Sequence, residues 1–307
     1  MEEKKMEIVS SNVNQAYADG LMYMRVAGVK ETSRYGDVLV APEPVTTIYT
    51  QPTKRVLFSP LRDANPFFHL MEFLWMIAGR DDVAFLQQFN SKYNFSDDGI
   101  IVPGAYGHRW RVKYGTDQIG SVVTELQRNP DSRRAMLVMA DASDLTRALR
   151  GTKDQPCNTG IYFDRRGGRL NMTVLCRSND IIWGTFGANV VHFSMLQEFV
   201  AAWIDCPVGV YRQFSNNYHY YPANFTHDLF QAAEDAKRHD YYEHFDICNP
   251  HPLVNSYISR WEDDLENFMR NPLQKGLYND TFFSTVAAPM YWAWHVRKEK
   301  KGSGYEE

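Results

Sequence analysis

Cysteine is scarce in this 307-residue chain, with four residues, Cys157, Cys176, Cys206 and Cys248. None forms a CxxC pair or keeps zinc-type spacing to histidine, which argues against a disulfide framework and against a metal site. No run of about 18 apolar residues occurs, and the N-terminal MEEKKMEIVSS lacks an apolar signal core, so a cytoplasmic protein that meets no membrane is expected. No Gly/Ser tract, proline run or charge block interrupts the interior. One domain over residues 1–307 is therefore expected, ragged only from about Lys298 to Glu307. Net charge is low, at −4. That excludes a global attraction to nucleic-acid polymers, so any phosphate affinity has to come from locally placed arginines and points to a small phosphorylated ligand.

The chain does have the means to build a large core, with 44% hydrophobic and 23% charged residues. Val13, Tyr17, Leu21 and Met24 recur at helical spacing and predict a helix over Asn12 to Ala27. A strand-like stretch, Asp37 to Tyr49, is broken by Pro42 and Pro44. After Asn65-Pro66, the dense apolar run Phe67 to Ile77 reads as a buried helix with Glu72 in its middle. Helix is expected to continue over residues 81–90, loop over 91–105, and helix from Ile119 to Gln127 before the turn Asn129-Pro130-Asp131. Ala135 to Ala140, Gly160 to Asp164 and Leu170 to Cys176 read as three neighbouring strands, the last two joined at Arg166-Gly167-Gly168. Val190 to Trp203 is apolar at helical spacing, and Val208 to Asn216 returns to strand before an aromatic cluster around His219. The order of elements is mixed α+β.

Cys157 lies in Gln-Pro-Cys-Asn between two predicted strands, where Pro156 fixes φ and a short polar loop exposes the sulfur. A lone cysteine is more often a small core residue, so the surrounding residues decide. Arg133 and Arg134 stand just before an apolar strand, and Arg177 just after one. Each alone reads as a strand-end cap or a surface ion pair. Three of them flanking a Pro-Cys, with paired N–H donors suited to phosphate, point to a phosphorylated ligand beside a thiol. Glu72, a carboxylate in so apolar a helix, needs a purpose. His-Tyr-Tyr at 219–221 is unspecific by itself.

From Asn65 to Tyr221 the chain resembles the thymidylate synthase superfamily, which includes thymidylate synthases and pyrimidine nucleotide hydroxymethylases. The matching pieces, in family order, are Met71-Glu72-Phe-Leu-Trp, Tyr106-Gly-His-Arg-Trp-Arg, Asp131-Ser-Arg-Arg, Pro156-Cys157, Arg177-Ser-Asn-Asp180, Gly187-Ala-Asn189 and His219-Tyr-Tyr221. The resemblance implies a single-domain thymidylate synthase-like fold whose mixed sheet packs on helices and pairs two subunits as a dimer. It implies that Cys157 adds to C6 of a pyrimidine nucleoside monophosphate, so that C5 attacks a one-carbon unit carried by methylenetetrahydrofolate. Arg177 and Ser178 would hold the 5′-phosphate, with nearby guanidinium groups favouring the thiolate. Arg133 and Arg134 would reach the phosphate in the other subunit. Arg34, in Ser33-Arg-Tyr-Gly, would be a further phosphate ligand from a loop. Glu72 would organise water and proton transfers at the ring, and Tyr106 would orient the cysteine and water. Asp180 would meet the ring or the folate, Asn189 the base, and His219 and Tyr221 the sugar hydroxyl.

The chain departs from thymidylate synthases at several points. Asn158 replaces the histidine usual after the nucleophile, and the tryptophan-containing folate segment is not found within Ser91 to Val102. The last 25 residues do not resemble the folate-closing C-terminus, and Trp183 to Asn189 is one residue longer than usual. Methylation requires hydride transfer in a closed, dry site, whereas hydroxymethylation needs water to reach the same exocyclic methylene. The departures therefore favour a hydroxymethylase, with thymidylate formation and a non-catalytic nucleotide-binding relative as alternatives. The base stays open, dUMP being favoured over dCMP or CMP. Asn189 can accept from N3–H and donate to O4 of uracil, or with its amide turned over serve cytosine. Ribose and deoxyribose are equally compatible with His219 and Tyr221.

Overall fold

The computed structural model describes residues 6–245, 249–273 and 278–302, leaving Cys248 outside the described residues. In chain order the main elements are β1 (Glu7–Ser10), α1 (Val13–Ala27), β2 (Val29–Ser33), β3 (Gly36–Val40), β4 (Val45–Tyr49), α2 (Pro66–Ile77), α3 (Val83–Gln87), α4 (Tyr106–Arg111) and α5 (Gln118–Arg128). There follow β5 (Met136–Val138), α6 (Ala142–Leu149), β6 (Asn158–Arg166), β7 (Arg169–Cys176), β8 (Asn179–Asp180), α7 (Asn189–Trp203), β9 (Val208–Ser215) and β10 (Tyr218–Tyr220). The chain closes with α8 (Leu229–Arg238), α9 (Tyr241–His244), α10 (Ile258–Arg270) and α11 (Ala288–Gly302). Among the described residues, no helix is long and apolar enough to cross a membrane. The contacts divide the chain into two compact units, one of residues 1–64, 118–145 and 156–250, the other of residues 65–117, 146–155 and 251–307.

The first unit holds two sheets rather than the one expected. The larger has the order β1-β4-β9-β7-β6-β5 and the smaller β2-β3-β10-β8. In the larger sheet β7 pairs antiparallel with β6 and parallel with β9, so the pattern is mixed. Strand β9 alternates strictly, burying Gly209, Tyr211, Gln213 and Ser215 and leaving the residues between them half-buried. Helix α7 covers β7 and β9, and buried Gln197 ties it down by donating to the Leu170 and Val210 carbonyls. Helix α1 starts where Asn12 caps the amides of Asn14 and Gln15, and it packs on α8.

The smaller sheet was only partly legible. Strand β2 is exposed along most of its length, so it has no apolar alternation to read. Strand β8 is two residues long and exists through its parallel pairing with β10, Tyr218 opposite Asn179 and His219 opposite Asp180. Between β8 and α7 the backbone forms a π-helical segment, Ile181–Ala188, bent at Gly187. A π turn takes up one residue more than an α turn, which accommodates the extra residue noted between Trp183 and Asn189.

The second unit is built on α2, whose first turn is set by the Asn65 cap on Phe68 N and by Pro66 at the first helical position. Helix α3 is shorter than the helix expected over 81–90, because Asp82 caps it and the chain leaves after Gln87. At the C-terminus, α11 runs to Gly302, into the stretch expected to fray; residues 303–307 lie outside the described residues. Helix α4 lies hard against α2. A Cβ built on Gly107 would fall 1.8 Å from the Met76 carbonyl oxygen, a backbone atom that has no rotamer to escape into. Gly107→Ala is therefore expected to destabilise the protein by at least about 3 kcal/mol. Urea denaturation checks this, and a midpoint within error of the native one would contradict the packing.

Candidate active site

In the first unit the site begins at the β6–β7 pair. Asn158 is the first residue of β6 and stands opposite Cys176, the last residue of β7. The residues just outside the pair, Cys157 and Arg177, are therefore neighbours. The Arg177 amide donates to the Cys157 carbonyl at 2.9 Å. Its side chain turns back over the same corner, Nε donating to the Pro156 carbonyl at 3.0 Å and Nη2 lying 3.8 Å from Cys157 Sγ. Cys157 is half-buried and Arg177 exposed, so a sulfur beside a fixed positive charge is open to a ligand. Cys176 and Cys206 are buried free thiols. Burial pushes the Cys176 thiol far up, consistent with an inert core residue. Asn158 is fully buried and donates to the Gly160 and Leu175 carbonyls, so it braces the start of β6.

Strand β8 carries the chain from Arg177 and half-buried Ser178 to Asp180, and β10 sets His219 beside Asp180 across the parallel pair. Asp180 Oδ1 accepts from the Ile182 and Trp183 amides, each at 2.8 Å, capping the π-helical segment. Burial raises its carboxyl above the usual range, opposed by the Trp183 amide, His219, the Ile182 amide and Arg62. Asn189 opens α7 after the bend at Gly187, and its Nδ2 donates to Asn179 Oδ1 at 3.0 Å. The His219 and Tyr221 rings meet edge to face at 5.3 Å. Tyr35 packs edge-on against Tyr221 at 6.3 Å, with the Arg34 guanidinium 4.6 Å over its ring. The loop expected to carry Arg34 is thus the tight turn of the β2–β3 hairpin. This one unit gathers Cys157, Arg177, Ser178, Asp180, Asn189, His219, Tyr221 and Arg34 along neighbouring strand ends and turns.

Arg133 and Arg134 are not gathered with them. Both are exposed ahead of β5, and the register Met136 opposite Tyr162 sets Arg134 level with Asp164. That is seven residues along β6 from Cys157, about 23 Å at the rise of an extended strand and beyond the reach of an arginine side chain.

In the second unit, Glu72 sits on α2 with limited exposure, and burial pushes its carboxyl up to about 8. Its charge acts on buried Tyr93, whose hydroxyl is raised first by burial and then by Glu72 and Asp154. Asp154 accepts from the Gly104 amide at 2.6 Å, and burial raises its carboxyl too. Tyr106 is half-buried at the start of α4. Tyr93 and Asp154 were missed in the sequence, where each looks like an ordinary loop residue.

Trp183 was also missed as a site residue. It is 53% exposed next to the Asp180 cap, one ring face under the Arg62 guanidinium at 4.5 Å. An exposed indole beside a carboxylate fits a flat heterocycle that carries amino groups.

Glu72 makes stability depend on pH with a definite sign. Its folded value of about 8 lies above the ordinary 4.5, so its favourable contribution is full below the ordinary value and is lost as pH rises through the folded one. Between about pH 5 and pH 9 the native denaturation midpoint is expected to fall relative to that of Glu72→Gln, which has no proton to lose. Parallel pH dependences in the two proteins would contradict the raised carboxyl.

The thymidylate synthase family model matches residues 60–251. The deoxyuridylate hydroxymethyltransferase of Pseudomonas phage M6 is 44% identical over 292 residues, covering 92% of this chain and 82% of that protein. The deoxyuridylate hydroxymethyltransferase of Bacillus phage SP01 is 35% identical, covering 80% of this chain and 75% of its own. A thymidylate synthase from Symbiobacterium thermophilum is 28% identical over 71% of this chain and 76% of that protein.

Proposed function

The chain belongs to the thymidylate synthase family, and from that premise we propose that it hydroxymethylates C5 of deoxyuridylate through a covalent adduct at Cys157. The observation that carries the reading is the half-buried Cys157 sulfur 3.8 Å from the Arg177 guanidinium. Its likeness to the phage deoxyuridylate hydroxymethyltransferases, greater than to the thymidylate synthase above, favours the hydroxymethyl product and uracil.

In this reading Arg177, Ser178 and Arg34 hold the 5′-phosphate, and His219 and Tyr221 hold the sugar hydroxyl. The Cys157 thiolate adds to C6, and the electron pair displaced from the C5–C6 bond makes C5 nucleophilic. Methylenetetrahydrofolate, when bound, supplies the one-carbon unit, and Asp180 and Trp183 are the residues that would hold it. C5 gains the new carbon bond and loses its proton; the bond from that carbon to the folate nitrogen breaks with release of tetrahydrofolate, water adds to the methylene left on C5, and expulsion of Cys157 restores the double bond. Glu72 is assigned the proton transfers at the ring. A carboxyl pushed up to about 8 keeps its proton at neutral pH and is able to give it. Tyr106 is assigned the orientation of water.

We further propose that the whole chain works as one catalytic domain and as a symmetric dimer formed through the larger sheet. Met136, Val138 and Tyr162 stand 48%, 41% and 48% exposed on one face of that sheet, an apolar surface suited to a second copy. The placement of Arg133 and Arg134 far from Cys157 along β6 suits a phosphate held in the partner subunit.

The test is incubation with methylenetetrahydrofolate and each of dUMP, dCMP, UMP and CMP, tritiated at C5. The expected result is tritium release and a hydroxymethyl product from dUMP. Cys157→Ser is expected to lower both by about a thousandfold or more while nucleotide binding survives. A methyl product with dihydrofolate would overturn the hydroxymethylase assignment, and unchanged turnover in Cys157→Ser would overturn the covalent mechanism.

A further inference from the structure

We infer that Asn179 is the positioning residue that makes the site choose uracil over cytosine; the inference rests on the proposed reading in which Asn189 meets the base. Asn179 has no part in the mechanism above. It is the middle of a chain of hydrogen bonds running from Asn189 into the larger sheet.

Asn189 Nδ2 donates to Asn179 Oδ1 at 3.0 Å. Asn179 gives away both hydrogens of its own Nδ2, to Gln213 Oε1 at 2.7 Å and to Ser215 Oγ at 3.0 Å. Gln213 Nε2 in turn donates to the Tyr211 hydroxyl. Tyr211, Gln213 and Ser215 are alternate residues on the buried face of β9, so their spacing is set by the strand. Asn179 is held by its backbone as well, its amide donating to the Asn217 carbonyl at 2.8 Å. All four are 2% exposed or less, and water is not at hand to replace a lost bond.

An amide has one donor end and one acceptor end, so each orientation in this chain dictates the next. With Asn179 Oδ1 turned toward Asn189, the Asn189 amide has to offer its nitrogen on that side. Turning Asn189 alone would set two buried acceptors face to face. One N–H of Asn189 and its Oδ1 then remain for the ligand. That edge matches uracil, Oδ1 accepting from N3–H while N–H donates to O4. Against cytosine the same edge sets Oδ1 against the N3 lone pair and N–H against the 4-amino group, two mismatches at once.

Gly184 gives independent support. A Cβ there would lie 2.6 Å from Asn179 Oδ1 and 3.3 Å from Asn189 Nδ2. The two amides have room to meet because position 184 carries no side chain.

The experiment measures kcat/KM for dUMP and for dCMP with the native protein, Asn179→Ser and Gly184→Ala. A serine hydroxyl gives or takes a hydrogen bond, so it no longer dictates the Asn189 orientation. The native preference for dUMP is expected to be roughly a hundredfold or more and to fall to within about tenfold in both variants. Both nucleotides meet the same protein in each assay, so mere damage to packing lowers the two values together and leaves their ratio. A native preference for dUMP that persists in both variants would overturn the inference and leave the functional reading intact. A native preference for dCMP would overturn the inference and, with it, the choice of deoxyuridylate as substrate. Turnover of neither nucleotide by the native protein would sink the functional reading and the inference together.

Discussion

Antiparallel pairing of β6 with β7 is the constraint on which the site depends. Cys157 and Arg177 are 20 positions apart in sequence, and each alone is an unremarkable loop residue. The pairing of Asn158 with Cys176 makes them adjacent, and the bond from the Arg177 amide to the Cys157 carbonyl fixes the corner. The loop that carries the thiol is therefore anchored by main-chain geometry at its exit. Parallel pairing of β7 with β9, and of β8 with β10, then brings Asn179, Asp180 and His219 to the same strand ends. The candidate site thus rests on strand register, and a one-residue slip would turn each of these side chains to the opposite face.

Within each unit the candidate residues differ in electrostatic environment. Arg177 and Arg34 are exposed, which leaves their charge available to an anion with little desolvation to offset the attraction. The carboxyl groups of Glu72, Asp154 and Asp180 are all raised by burial, which disfavours their charged forms, and Glu72 is pushed up to about 8. The proposed chemistry, with a thiolate and a retained carboxyl proton at one pH, calls for two such environments. The proposed base recognition would add a third, the dry amide chain behind Asn189.

Much of this was legible in the sequence, for physical reasons that differ between elements. Helices α1, α2, α5 and α7 declare themselves by apolar spacing or by an asparagine cap followed by proline, and β5, β6 and β7 by apolar runs between turn signals. Most candidate side chains were legible through the order of short motifs shared with the family. Strand β8 was not, because two residues hold no pattern and only the pairing with β10 defines it. The Ile181–Ala188 segment was visible as a length difference but not as a conformation. Asn179 reads as a turn residue after Arg177-Ser178. Its meaning lies in contacts with Gln213 and Ser215, more than 30 positions away. Trp183 and Tyr35 were missed because an exposed aromatic residue has no sequence signature until its neighbours are known.

The central claim is that the Cys157 sulfur bonds to C6 of a bound pyrimidine nucleotide and activates C5. A deoxyuridylate carrying fluorine at C5 tests it directly, because fluorine does not leave as a cation and the adduct stalls once C5 has taken up the one-carbon unit. Intact-protein and peptide mass spectrometry, after incubation with this nucleotide and methylenetetrahydrofolate, should find the nucleotide and folate masses together on the peptide that contains Cys157. An unmodified chain, or a label confined to Cys176, Cys206 or Cys248, would contradict the account.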